Sequence, residues 1–463
     1  MHPLPATLEP ASEVDKNEGK LPGITVGALL GLLSTALIVF YASIGRPLWI
    51  DEFLHFAFGG FTSTLSAWHA ITHSIRAFNF GQTGIYMLVD YWLLKLFGAN
   101  LLALRLPSIL SAGLMLWAGF EFLSKRQYGP LWQVNLLVCY LGQQTLMYYT
   151  GEARPYMALA GASVGAFTYY ILAPEERGSR SVRILGWLSI LWGAAIHPYF
   201  AFYWLSLYVF GFLVTVYEKR ATFSWKSAIS HLNLPLSVTG SVIYFGIGFA
   251  TWMGHQPKLH FDPFQWISQA KLYETFVQVS HFQFLGNLGS SWLLFIGILC
   301  LVHFCLNAEA KTLSKRLLPP CLLIGVAMLL SAYVSWESFR HHYWILQRQW
   351  VASLALIPVA FIWLCAELTN LISRVSAVSR WLFPTLCLAV IAYTSYPQTI
   401  DQSHSFLTAI LRPHSSEPFV APLPDALDGP GHNDEWVALA NQNVESGGPV
   451  SPFFQIFYSG PGK

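Results

Sequence analysis

Two adjacent carboxylates, Asp51 and Glu52, follow Trp49 where the first long apolar run of the chain ends. Tryptophan marks the membrane–water interface, and a carboxylate at that depth is partly desolvated. The neighbouring like charge opposes double ionisation, so one of the two should be pushed upward. A carboxylate tuned that way can take a proton from a hydroxyl near neutrality. The bland reading of the same residues is an acidic turn that stops a span.

Further groups follow at informative spacings. Glu52-x-x-His55 has helical spacing, and His69-x-x-x-His73 repeats the i, i+4 arrangement of zinc sites. Ala70 follows His69, where a zincin carries its glutamate, and interfacial helices often carry solvated histidines, so the solvated reading outweighs metal binding by this pair. Thr150-Gly151-Glu152-Ala153-Arg154 places an acid and a base at the end of an apolar run, where charge is costly and usually functional. His197-Pro198 breaks another run. The stretch from Trp336 to Trp350 adds Glu337, Arg340, His341, His342 and Arg348. Arginine suits bidentate capture of a phosphate, although lipid headgroups take it too. A leaving phosphate needs a cation for its developing charge, and an acceptor hydroxyl needs a carboxylate within reach. The chain supplies both.

The elements that must position these residues are apolar. Of 463 residues, 54% are hydrophobic and 11% charged, with a mean hydropathy of +0.46; soluble domains carry about 25% charged residues. The net charge of +2 is dispersed, which gives no basic stripe and no nucleic-acid partner. Six cysteines, all within apolar runs, suit buried hydrophobes better than a disulfide framework. Spans are expected at Leu21–Ser43, Arg105–Ser124, Leu131–Tyr149, Pro155–Leu172, Ile184–Ile196, Tyr199–Tyr217, Leu232–Trp252, Ser290–Leu306, Leu317–Ser335, Trp350–Leu368 and Trp381–Tyr396. Pro198 separates the fifth from the sixth. Ile85–Phe97 is shorter and carries Asp90 and Lys95, as suits a helix lying in the interface. With that segment in the interface, thirteen Lys and Arg of the later loops fall on one side and seven on the other. The positive-inside rule then puts the N-terminus in the cytoplasm and the C-terminus outside. The expected organisation is a cytoplasmic tail (1–20), a transmembrane domain (21–396) whose first outer loop spans 45–104, and a small irregular outer tail (397–463). No internal repeat is evident.

The motifs together resemble the GT-C glycosyltransferases, in the bacterial, family-39-like branch related to protein O-mannosyltransferases and lipid A aminoarabinose transferases. Trp-Ile-Asp-Glu (Trp49–Glu52) is similar to the acidic motif after that family's first span. Leu96–Gly113, which contains Arg105, resembles its interfacial helix end and second span. Met147–Leu159 is similar to its Y-Y-S-Q-E-A-R-x-Y-A-L stretch, the His197 turn to a T-H-Y-F segment, and Leu346–Pro358 to a late R-Y-L-x-P-x-L-P motif. Between Asn79 and Tyr86 the chain departs from the family, which has an acid or histidine, two prolines and an aromatic there.

The resemblance implies an all-α polytopic membrane protein, a GT-C-like bundle of about eleven transmembrane helices with interfacial helices in the first outer loop, in a bacterial inner membrane with a periplasmic active site. It implies inverting transfer of a sugar from a polyprenyl-phosphate donor to a hydroxyl of a lipid, glycan or protein. Asp51 would be the general base, with Glu52 beside it. Arg348, Arg105, Glu152, Arg154, His197 and Arg340 would bind the donor phosphate and sugar, and His55, His69 and His73 would lie near the acceptor or a metal. Some members of the superfamily use a divalent cation (Mg, Mn or Ca) and others none. A polymerase or ligase with a pyrophosphate-linked donor shares the same residue types. A flippase would concentrate its polar groups at the midplane and show repeats.

Overall fold

The structure is a computed structural model. It describes residues 52, 55, 59, 61–69, 83–98, 101–172, 176–218, 224, 230–249, 310–340, 350–373, 378 and 380–393. Asp51, His73 and Arg348 lie outside these residues, as do the expected spans Leu21–Ser43 and Ser290–Leu306 and the outer tail. His69 and Arg340 are described in their helical backbone alone.

The described residues form helices and no strand. A short helix α1 (Thr64–His69) precedes α2 (Gly84–Phe97). Thr83, just ahead of α2, donates its hydroxyl to Ala195 O at 2.6 Å and its N–H to Ile196 O at 3.4 Å. Then come α3 (Leu101–Lys125), α4 (Pro130–Leu141) and α5 (Gln144–Thr150). The expected span Leu131–Tyr149 is thus two helices, parted at Gly142-Gln143. After α6 (Tyr156–Ile171) and one 3₁₀ turn come α7 (Arg180–Ile196) and α8 (Phe200–Glu218), which meet at His197-Pro198 as expected. Helix α9 (Leu234–Ile243) runs into a π-helical turn, Tyr244–Phe249. The series ends with α10 (Ala310–Arg340), α11 (Val351–Ser373) and α12 (Arg380–Tyr393).

Among the described residues, four stretches are long and apolar enough to cross a membrane: Leu102–Lys125, Phe200–Glu218, Arg316–Val334 and Val351–Leu371. Helix α3 spans roughly 38 Å at 1.5 Å per residue, against a hydrocarbon core of about 30 Å. Helix α8 leaves Phe202, Leu205, Val209 and Leu213 exposed, a stripe at helical spacing that suits contact with lipid.

Every residue of α6 is buried, and its neighbours are α3, α7, α8 and α11. Its sequence, YMALAGASVGAFTYYI, explains how four helices can share one centre. Lipid tails are as apolar as leucine, so helices in a bilayer associate through close backbone approach over small residues. A Cβ added at Gly161 would strike the Ser111 carbonyl of α3, and one at Gly211 of α8 would lie 2.5 Å from Tyr170 O. The far end of α6 is capped by Arg177, which donates to Tyr170 O, Leu172 O, His231 O and His231 Nδ1 at 2.9–3.0 Å. Those carbonyls have no partner within the helix, and a cation there complements the helix dipole.

Arg177→Met should leave these buried carbonyls unsatisfied, at a cost on the order of 3 kcal/mol. The purified protein should melt several degrees lower. Substrate affinity should be unchanged, because the substitution lies a helix length from the polar end described next.

Candidate functional site

The other end of α6 begins at the Gly151–Arg154 loop. Into it comes Glu52, helical and fully buried. Arg105, in the second turn of α3 and also fully buried, meets it with two parallel bonds: Nε to Oε1 at 2.8 Å and Nη2 to Oε2 at 2.7 Å. The Ala153 N–H adds a third bond to Oε1 at 2.7 Å. One carboxylate therefore joins three segments that are distant in sequence. The fork-to-fork geometry is the strong form of such a contact, and a buried pair stripped of one partner typically costs about 3–5 kcal/mol.

Around this pair lies a second layer of polar groups. Ser108, one turn beyond Arg105, donates its hydroxyl to Glu152 O at 2.6 Å, which leaves Tyr86 of α2 as the donor to Ser108 Oγ at 2.7 Å. Glu152 and Arg154 are both buried. The Arg154 guanidinium sits 5.5 Å from the centre of the Tyr156 ring, and its Nη2 reaches the Tyr156 hydroxyl at 3.3 Å. His197 lies against Tyr156 and accepts the Tyr199 N–H on Nδ1 at 3.1 Å, while Tyr244 of the π turn donates to Pro198 O at 2.9 Å.

His55 meets Asp90 of α2, Nδ1 to Oδ2, at 2.6 Å, and both side chains are fully buried. Burial first, and then the Glu52 charge, push the Asp90 carboxyl well above the usual carboxylate range. Burial, with the Arg154 charge behind it, pushes His55 well below its ordinary value. The same two causes push His197 down to about 3. Both rings therefore stay neutral at physiological pH, and the charge on Arg154 is felt at each.

The structure thus brings Glu52, His55, Arg105, Glu152, Arg154 and His197 to one end of the bundle. Asp90, Tyr86 and Ser108 belong to the same cluster, and the spacing arguments did not single them out. Their signals were present: Tyr86 and Asp90 share a helix face at i, i+4, and Ser108 stands one turn from Arg105. Asp90 is buried, whereas Lys95 on the same short helix is exposed, so α2 turns its acid toward the bundle. Among the described residues no three His, Cys, Asp or Glu side chains gather closely enough to hold a metal ion. Glu52 and His55 are engaged by Arg105 and Asp90, with the positive charge of Arg154 nearby.

The chain is an all-α polytopic membrane protein with an ionic cluster at one end of its bundle. No family model matches the sequence, and comparison with curated proteins finds no match. Among solved structures it is similar to ArnT from Cupriavidus metallidurans bound to undecaprenyl phosphate, with a TM-score of 0.46 and 14% identity over 84% of this chain and 77% of that one. It is also similar to the apo state of the same protein, with a TM-score of 0.33 and 12% identity over 75% and 78% of the two chains.

Because His197 titrates near 3 in the fold and at its ordinary 6.5 once unfolded, the unfolded chain binds the extra proton between those values. Its contribution is therefore complete above 6.5 and is lost on acidification, by about 2 kcal/mol between pH 6.5 and 5. His55 acts in the same direction. Asp90 acts oppositely, since its carboxyl keeps a proton in the fold that the unfolded chain releases. Melting temperature should fall from pH 6.5 to 5, and the fall should be shallower in His197→Asn. Equal slopes for the two proteins would remove His197 from this account.

Proposed function

We propose that the protein is a membrane glycosyltransferase that moves a sugar from a polyprenyl-phosphate donor to a hydroxyl acceptor at the end of the bundle where Glu52 and Arg105 meet. The observation that carries this reading is the convergence of carboxylate, guanidinium and imidazole groups from segments distant in sequence at one end of an otherwise apolar bundle. A cluster at one end suits a water-accessible acceptor and a lipid-anchored donor. A transporter would place such groups near the midplane.

Asp51, one residue before Glu52, is the group we assign as general base, and transfer is inverting because the acceptor attacks in one displacement. Glu52 is committed to Arg105 and Ala153, so its part is to hold the acidic segment in place. Arg154 supplies positive potential beside the two neutral histidines. Arg348 is assigned to the donor phosphate, with Arg340 near it, on the strength of the motif around Leu346–Pro358. We assign neutralisation of the phosphate to the Arg348 guanidinium; a divalent cation, for which the sequence offers Asp51, Glu52, His55 and Glu152, is the alternative that EDTA tests.

The test is transfer from a labelled polyprenyl-phosphate sugar by the purified protein. Asp51→Asn should abolish turnover and leave melting temperature unchanged. Arg348→Ala should raise the donor KM roughly tenfold or more, the worth of a charged hydrogen bond, and EDTA should leave the rate intact. Turnover retained in Asp51→Asn removes that residue as the base, and turnover only with pyrophosphate-linked donors replaces the donor class.

A further inference from the structure

The His55–Asp90 contact has a feature that bears on the transfer reaction proposed above. Asp90 Oδ2 lies 2.6 Å from His55 Nδ1, while Asp90 Oδ1 is buried with no hydrogen-bond partner among the described residues. An ionised carboxylate has two oxygens to satisfy. Buried with a single contact it would be heavily penalised, and such a group normally neutralises. A carboxylic acid has one O–H to place, and the 2.6 Å contact places it.

The surroundings point the same way. The Glu52 carboxylate faces Asp90 and opposes a second negative charge, with its own charge directed to Arg105 of α3. From the Gly151–Arg154 loop, Arg154 opposes a positive charge on His55. From α2 itself, the Tyr86 ring meets the His55 ring edge-on at 5.4 Å, with its hydroxyl engaged by Ser108. Neither an ionised acid nor an imidazolium is favoured between these neighbours.

We infer that Asp90 is a buried carboxylic acid that donates its proton to His55 Nδ1, fixing His55 as the Nε2–H tautomer and docking the Glu52–His55 segment on α2. Asp90 is then a positioning residue acting through His55. The dyad keeps Glu52 in the register that its contact with Arg105 requires. His55 serves as a hydrogen-bond donor at Nε2 and not as a proton acceptor. This use is opposite to that of a triad aspartate, which is ionised and leaves Nε2 free to accept a proton.

The inference rests on the proposed transfer only for its kinetic readout. In the infrared difference spectrum of wild-type protein against Asp90→Asn at neutral pH, a carboxylic-acid C=O band should be present in the wild type and absent from the variant. This measurement needs no substrate, so it stands even if no sugar donor is turned over. In the transfer assay, Asp90→Leu should lower kcat roughly tenfold or more, the worth of one buried hydrogen bond to a site group, with donor KM within about twofold. Asp90→Asn should rescue most of that loss, because its amide N–H can donate to Nδ1 as the acid does. A missing carboxylic-acid band overturns the inference. So does Asp90→Asn proving as damaging as Asp90→Leu. A loss that follows melting temperature across the variants would reduce the dyad to a packing contact and also overturn it.

Discussion

The bidentate contact between Glu52 and Arg105 is the constraint on which the polar end of this molecule depends. A fully buried carboxylate and a fully buried guanidinium are tolerable only when each neutralises the other in good geometry, and here the two parallel bonds are 2.7 and 2.8 Å long. The third bond, from the Ala153 N–H, ties the loop at the head of α6 to the same carboxylate. Three segments that are separate in sequence therefore cannot move independently.

The apolar part of the fold serves that arrangement by bringing helices unusually close. Helix α6 carries Gly161 where α3 approaches and α8 carries Gly211 where it meets α6, and the two ends of α6 use different chemistry. At the head, charges gather around Glu52 and Arg105. At the tail, Arg177 closes the helix on carbonyl oxygens and on His231 and anchors it there. A helix pinned at both ends and enclosed on all sides is a rigid scaffold, and rigid scaffolds hold reacting groups at fixed separations.

Much of the site was legible in the sequence because a charge inside an apolar run has a cost that must be met by something. That logic led to Glu152 and Arg154, the interfacial tryptophan pointed to Glu52, the helix break to His197 and the family resemblance to Arg105, and the structure places all five at one end. The break between α7 and α8 was readable from Pro198 for a similarly local reason, the missing amide hydrogen. Other features had no local cause. Glu52 is held in part by the backbone N–H of Ala153, and a backbone donor leaves no trace in side-chain identity. Asp90 and Lys95 looked alike as charges on a short apolar helix, and only packing decides that Asp90 turns inward and Lys95 outward. The split of Leu131–Tyr149 at Gly142-Gln143 was hidden too, since a single glycine in an apolar run is compatible with either outcome.

The central claim is that Glu52 and Arg105 act as one unit. A double-mutant cycle built from Glu52→Gln and Arg105→Met, read as unfolding free energy in detergent, tests it most directly. The account predicts that each single substitution is strongly destabilising and that the double variant is far less so than their sum, with a coupling of about 3 kcal/mol or more. Additive effects would show that the two residues are independent, and would contradict the account at its base.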